Sequence, residues 1–148
     1  MLIDLTYRCN MGCNHCMSDC KPNGTDMTPE ILKDVLAFCK KNEVPNLIFS
    51  GGEMFENPHI LELLKIIEKE WDKRFPLSFI TNGRKLADTP DIFEAVQDMQ
   101  KKYGKKKIMI QVTDDPRFYP QPLSEKQKYR LKKLDAVIEG VPGNGNKC

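Results

Sequence analysis

A helix-capping residue is followed by proline three times, at Thr28-Pro29, Asn57-Pro58 and Thr89-Pro90, and the spacing of these pairs constrains the fold more than any other feature. Proline in the first helical turn gives up an amide that has no helical partner, and the threonine or asparagine before it can cap the amides that remain. Each pair therefore predicts a helix start, and each opens an amphipathic run. The first run carries Ile31, Leu32, Val35, Leu36 and Cys39 on one face, the second Ile60, Leu63, Leu64, Ile67 and Trp71, and the third Ile92, Ala95, Val96, Met99 and Tyr103. A fourth, less apolar helix is predicted from Ser124 to near Leu134. β-Favouring segments lie between them at 2–7, 46–50, 77–81, 107–113 and 135–139. From the second strand on, strand and helix repeat at about thirty residues, the size of a βαβ unit, so the strands are expected to be parallel with right-handed helical crossovers. The expected fold class is α/β.

A chain of 148 residues with 40% hydrophobic content suits one globular domain, spanning 1–148, with a real core. Lysine and arginine number 23 against 21 aspartates and glutamates, and no basic stripe interleaved with aromatics marks a nucleic-acid surface. No run of about 18 apolar residues is present, the length of a membrane span, and the N-terminus lacks a basic-then-apolar signal pattern. A soluble cytoplasmic protein is the expectation, with no membrane and no nucleic-acid partner. In a reducing compartment its six cysteines read as metal ligands before they read as disulfides.

Parallel α/β sheets bind ligands at the carboxyl ends of their strands. The first strand here runs into a loop with Cys9, Cys13 and Cys16, the second into Ser50-Gly51-Gly52-Glu53, the third into Thr81-Asn82-Gly83, the fourth into Thr113-Asp114-Asp115, and the fifth into residues 139–146. Turn residues chosen only for turning would scatter over both ends of the sheet, whereas these fall on one rim and predict a composite site. The long insertion that carries the cysteines points the same way. Three thiolates are compatible with a zinc site short of a ligand, with part of a disulfide framework, or with an iron–sulfur cluster that has one open iron. Cys20 extends the series and could close a four-cysteine cluster, which would make the chain an electron-transfer module. Gly12 relieves the backbone between the first two cysteines, and Gly51 and Gly52 let main chain approach a ligand with no Cβ in the way. Cys39 reads as core.

Cys9-x-x-x-Cys13-x-x-Cys16 after a first strand, with Gly51-Gly52-Glu53 at the end of the second, resembles the radical S-adenosylmethionine (radical SAM) superfamily. The resemblance implies a partial (β/α) barrel with helices outside. It implies a [4Fe–4S] cluster on Cys9, Cys13 and Cys16, its fourth iron chelated by the amino and carboxylate groups of S-adenosylmethionine. Cosubstrate contacts are implied at Gly51, Gly52 and Glu53, with the Glu53 carboxylate on the ammonium. His15 stands where the family commonly has an aromatic residue near adenine, and Thr81, Asn82, Gln111 and Thr113 resemble polar residues that reach the cosubstrate. His15 as an exposed loop residue and Asn82-Gly83 as a plain turn remain the alternatives.

The activity implied is reductive cleavage of S-adenosylmethionine to methionine and a 5′-deoxyadenosyl radical that abstracts hydrogen from a substrate, which is a small molecule, peptide or protein. Flavodoxin or ferredoxin is the implied electron donor. A small activase making a glycyl radical on a partner enzyme is the alternative within the same chemistry. The family core holds about one more βα unit than this sequence shows, so the sheet is expected to be open at an edge and the chain to be either a fragment or an enzyme that borrows a partner's surface.

Overall fold

The computed structural model describes residues 1–14 and 16–139. His15 and the tail from Gly140 to Cys148 lie outside the described residues. Five strands, β1 (Leu2–Asp4), β2 (Leu47–Ser50), β3 (Leu77–Thr81), β4 (Ile108–Thr113) and β5 (Val137–Glu139), form one sheet in sequential order. Every neighbouring pair is parallel. The helices are α1 (Pro29–Lys41), α2 (Ile60–Glu70), α3 (Arg84–Asp88), α4 (Pro90–Tyr103) and α5 (Glu125–Lys132).

Alternation along the strands separates two faces, because successive side chains of a strand point opposite ways. Ile3, Leu47, Phe49, Leu77, Phe79, Ile108, Ile110 and Val112 are buried beneath the helices, together with Leu32, Leu36, Leu63, Ile67, Trp71 and Val96 from the helices themselves. The opposite face is more open: the register sets Leu2, Ile48, Ser78 and Met109 in one row and Ile80, Gln111 and Val137 in another. Leu2, Met109 and Val137 on that face are exposed. Sequential parallel strands with one layer of helices make a segment of a (β/α) barrel wall, with the open face toward the barrel interior.

Most expected elements are present, with local differences that have physical causes. Thr28 accepts from the amide of Ile31 at 3.4 Å and starts α1, and Ser124 and Gln127 form a capping box at α5. The second helix runs from Ile60 rather than from Pro58, behind a 3₁₀ turn at residues 54–56, although a cap-like bond, from His59 N–H at 2.8 Å, is accepted by Asn57. Its amide donates to the carbonyls of Leu5 at 2.7 Å and Met27 at 3.0 Å, tying the second loop to the first. Thr89 makes no side-chain capping bond, although Pro90 does open α4. The short helix α3 occupies a stretch expected to be only a turn. β1 ends at Asp4 because the next residues change partner: Leu5 still donates to Ser50, but Tyr7 donates to Thr25 and Met27 donates back to Leu5. Cys39 is core, 3% exposed.

Candidate cofactor site

The cysteine loop is clamped at its base. Arg8 donates from Nη2 to Asp26 Oδ2 at 2.7 Å and from Nε to Oδ1 at 3.3 Å, the Thr6 hydroxyl donates to the same carboxylate at 2.6 Å, and Arg8 Nη1 reaches the carbonyl of Pro22 at 2.9 Å. A planar guanidinium on a carboxylate fixes orientation as well as distance. The backbone adds Cys9 N–H to Lys21 O at 3.0 Å and Lys21 N–H to Tyr7 O at 3.3 Å. The base of the cysteine loop is thus closed at the carboxyl end of β1. Arg8 and Asp26 keep each other charged, Asp26 held below its usual range chiefly by its bond from Arg8.

Within the loop the thiols are not equivalent. Burial pushes the thiols of Cys9 and Cys13 up, and the neighbouring sulfurs add to the rise at Cys13. Cys16 is held below its ordinary value, first by the backbone N–H of Cys20, which donates to its Sγ at 3.4 Å. Cys20 is pushed up to about 11, by burial and then by the charge of Cys16. Amides directed at a sulfur are the kind of contact that tunes a bound iron–sulfur cluster. Among the described residues no three His, Cys, Asp or Glu side chains converge as they must around a single ion. A mononuclear zinc cage needs such convergence. A cubane cluster does not, since each thiolate binds a different iron, and three cysteines on one clamped loop fit it.

Gly51, Gly52 and Glu53 run alongside that loop. Gly52 N–H donates to Thr6 O at 2.8 Å and Glu53 N–H to Arg8 O at 2.9 Å, extending the β1–β2 pairing past the strands. A Cβ on Gly51 would lie 2.3 Å from Thr6 O, and one on Gly52 would lie 2.6 Å from Arg8 O and 2.9 Å from Cys9 Cβ. The backbone that comes close to these glycines is the protein's own, the segment that delivers Cys9. Gly51 also has φ 144°, which disfavours any side chain.

Glu53 is 1% exposed. Its Oε1 accepts from the Thr81 hydroxyl at 2.6 Å and from Phe55 N–H at 3.2 Å, and its Oε2 accepts from Asn82 N–H at 2.7 Å. The carboxylate thus fastens the end of β2 to the end of β3. Oε2 has capacity for a second donor. Burial outweighs these three bonds and raises the acid to about 7, so near neutral pH it takes up a proton readily. The Thr81 hydroxyl, which itself accepts from Gly83 N–H at 2.9 Å, is the partner able to reverse and receive that proton's hydrogen bond.

The structure therefore brings Thr81, Asn82 and Glu53 into one buried cluster and adds Thr113, whose hydroxyl donates to Thr81 O at 3.4 Å. Gln111 sits one step lower on the open face of β4, donating to Glu139 at 2.8 Å. Sequence reading did not single out Arg8 or Asp26, and it took Asn57 only as a helix cap. An opposite-charge pair bracketing the cysteine loop was the available signal for the first two.

The sequence pattern of the Radical SAM superfamily matches residues 3–142. The chain is 34% identical over 83 residues to the putative peptide biosynthesis protein YydG of Bacillus subtilis (strain 168), covering 55% of this chain and 25% of that protein. It is 33% identical over 82 residues to the antilisterial bacteriocin subtilosin biosynthesis protein AlbA of the same organism, covering 54% of this chain and 17% of that one. A probable GTP 3′,8-cyclase of Methanocella arvoryzae is 31% identical over 86 residues, covering 57% of this chain and 27% of the cyclase. The chain thus aligns with only a minor part of each relative's length. Among the described residues no helix is long and apolar enough to cross a membrane. With the superfamily pattern running through nearly all of a five-stranded parallel barrel segment, and the clamped cysteine loop beside Gly-Gly-Glu at its rim, this chain belongs to the Radical SAM superfamily.

Proposed function

We propose that this chain is the cofactor-binding core of a radical SAM enzyme, with a [4Fe–4S] cluster on Cys9, Cys13 and Cys16 and S-adenosylmethionine beside Gly51, Gly52 and Glu53. The observation that supports this reading is the close packing of Gly52 on Cys9, where a Cβ on the glycine would lie 2.9 Å from Cys9 Cβ. A cluster held by these thiolates, with flavodoxin or ferredoxin as its electron donor in the cytoplasm, would supply the electron for reductive cleavage of bound S-adenosylmethionine and so for hydrogen abstraction from a substrate.

The chain's own residues bind and orient. Arg8 and Asp26 keep the three thiols on one loop. Glu53 ties the Gly-Gly segment to Thr81 and Asn82, and Oε2 is the oxygen left for the cosubstrate's ammonium. Thr113 and Gln111 line the rim toward β4 and β5, and His15 is assigned to the adenine side.

Of the substrate classes in the relatives' names, a peptide suits this chain better than a nucleoside triphosphate. The positions alternating with the buried strand residues are Leu2, Asp4, Ile48, Ser50, Ser78, Ile80, Met109, Gln111, Thr113, Val137 and Glu139. They hold apolar groups and carboxylates and no cation to receive a triphosphate. Anaerobic reconstitution followed by dithionite and S-adenosylmethionine tests the core activity: methionine and 5′-deoxyadenosine should accumulate together. Their absence from a brown, iron-loaded protein would contradict it.

Glu53→Gln sets an amide N–H₂ against at least one of the donors that now face the carboxylate, and an unsatisfied buried donor costs about 1–3 kcal/mol. S-adenosylmethionine binding is expected to weaken roughly tenfold with iron content retained, as read by calorimetry. The sign of the pH effect follows from the raised acid: its stabilisation is complete below the unfolded value of 4.5 and fades as pH rises toward about 7. Wild type should therefore lose stability relative to Glu53→Gln across that window, and parallel melting curves would contradict the assignment.

A further inference from the structure

The loop after β4 carries an aromatic side chain, Tyr119, whose hydroxyl is bonded to the end of that strand. Asp114, 4% exposed, accepts from Leu123 N–H at 2.9 Å and stands 3.5 Å from Lys128 Nζ. Arg84 donates to Gln121 O at 2.8 Å, and the amides of Phe118 and Tyr119 donate to Asp115 O at 3.0 and 2.9 Å. Residues 115–122 are thereby folded back onto the rim, pinned at both ends. Tyr119 is half-buried in this loop, and its hydroxyl is hydrogen-bonded to Thr113. Thr113 donates to Thr81 O, and Thr81 donates to Glu53, so one line of hydrogen bonds runs from Gly-Gly-Glu across three strand ends to Tyr119. Burial raises the phenol, and the charges of Cys13, Glu53 and Cys9 add to the rise.

We propose that Tyr119 forms the β4-side wall of the cofactor site, packing its ring against bound S-adenosylmethionine and screening Cys9 and Cys13 from water. The inference rests on the functional reading above for its ligand. A tyrosine suits the role because its apolar face can cover a ligand while the hydroxyl stays fixed at the rim. A ring face also attracts a cation, and the cosubstrate's sulfonium is one.

Alkylation of the cluster-free 148-residue chain by iodoacetamide, resolved by cysteine in a mass spectrometer, tests the wall without needing a cofactor. Tyr119→Ala should raise the rates at Cys9 and Cys13 several-fold while leaving exposed Cys16 and buried Cys39 unchanged. Unchanged rates at Cys9 and Cys13 would overturn the proposal. A rise at Cys39 as well would report unfolding, and Thr113→Val then decides, since it keeps the ring and removes its anchor: a smaller rise confined to Cys9 and Cys13 supports the wall, and none overturns it. On the reconstituted protein, Tyr119→Ala should bind S-adenosylmethionine about tenfold more weakly and Tyr119→Phe within about threefold of wild type. Equal affinity of all three would overturn the ligand contact, whereas a wild-type protein that takes up iron and binds no S-adenosylmethionine would strike the functional reading and leave the alkylation result standing for the wall.

Discussion

Replacing Cys9, Cys13 or Cys16 with alanine, one at a time, should reduce iron after anaerobic reconstitution from about four per chain to background, the difference between a cubane cluster and none. Cys20→Ala should keep the iron and the brown colour. The contrast rests on geometry as well as on spacing. Cys20 contributes its main-chain N–H to Cys16, at 3.4 Å, and alanine keeps that amide. Burial and the neighbouring Cys16 raise the Cys20 thiol, whereas surrounding amides lower that of Cys16. Loss of cluster in Cys20→Ala would instead point to four protein ligands, a closed cluster and electron transfer as the function.

The second large effect is expected at the two glycines. Alanine at position 52 would put a methyl group 2.6 Å from Arg8 O and 2.9 Å from Cys9 Cβ, and at position 51 one 2.3 Å from Thr6 O. Thr6 O and Arg8 O are main-chain atoms and Cys9 Cβ moves only with its own backbone, so none of them can swing away as the end of a long side chain would. Relief requires residues 6–9 to move off the β2 extension, which breaks the bonds from Gly52 to Thr6 and from Glu53 to Arg8. Overpacking of this kind costs about 1–3 kcal/mol, enough to lower the melting temperature by several degrees in a domain of this size. Because the displaced segment ends in Cys9, iron retention should fall with it. Gly51→Ala carries the added strain of φ 144° and should be the worse of the two. Normal melting and normal iron in both variants would mean that the cysteine loop is not seated on the Gly-Gly segment.

What could be read in the sequence was what periodicity and spacing encode. Five strands at their expected places, the parallel order and the Pro-opened helices α1 and α4 follow from apolar patterns and capping pairs that act locally. Asn57 acts locally, accepting from His59 N–H, but its amide also donates to the carbonyls of Leu5 and Met27, partners 52 and 30 residues away that no local pattern announces. Helix α3 was missed because Asn82-Gly83 is a turn pair whether or not a helical turn follows it.

At the site, the sequence showed which residue types meet on the rim and not which way they point. Glu53 illustrates the gap. Two glycines before a glutamate mark a place of close backbone approach, but the approach is by the strand that carries Cys9, and the carboxylate is turned inward to donors on β3. That direction depends on Thr81 and Asn82, 28 and 29 residues downstream. Tyr119 lies in a loop with three prolines, a composition that names no partner for it. The anchoring of that loop depends on Asp114 and Arg84, which act across the fold.

An iron left open by three cysteine ligands is the central claim, and electron paramagnetic resonance of the reduced, reconstituted protein tests it most directly. Adding S-adenosylmethionine to that sample should change the spectrum of the cluster, because the cosubstrate becomes a ligand of the fourth iron. A spectrum identical with and without S-adenosylmethionine, from a protein that holds a full complement of iron, would contradict it.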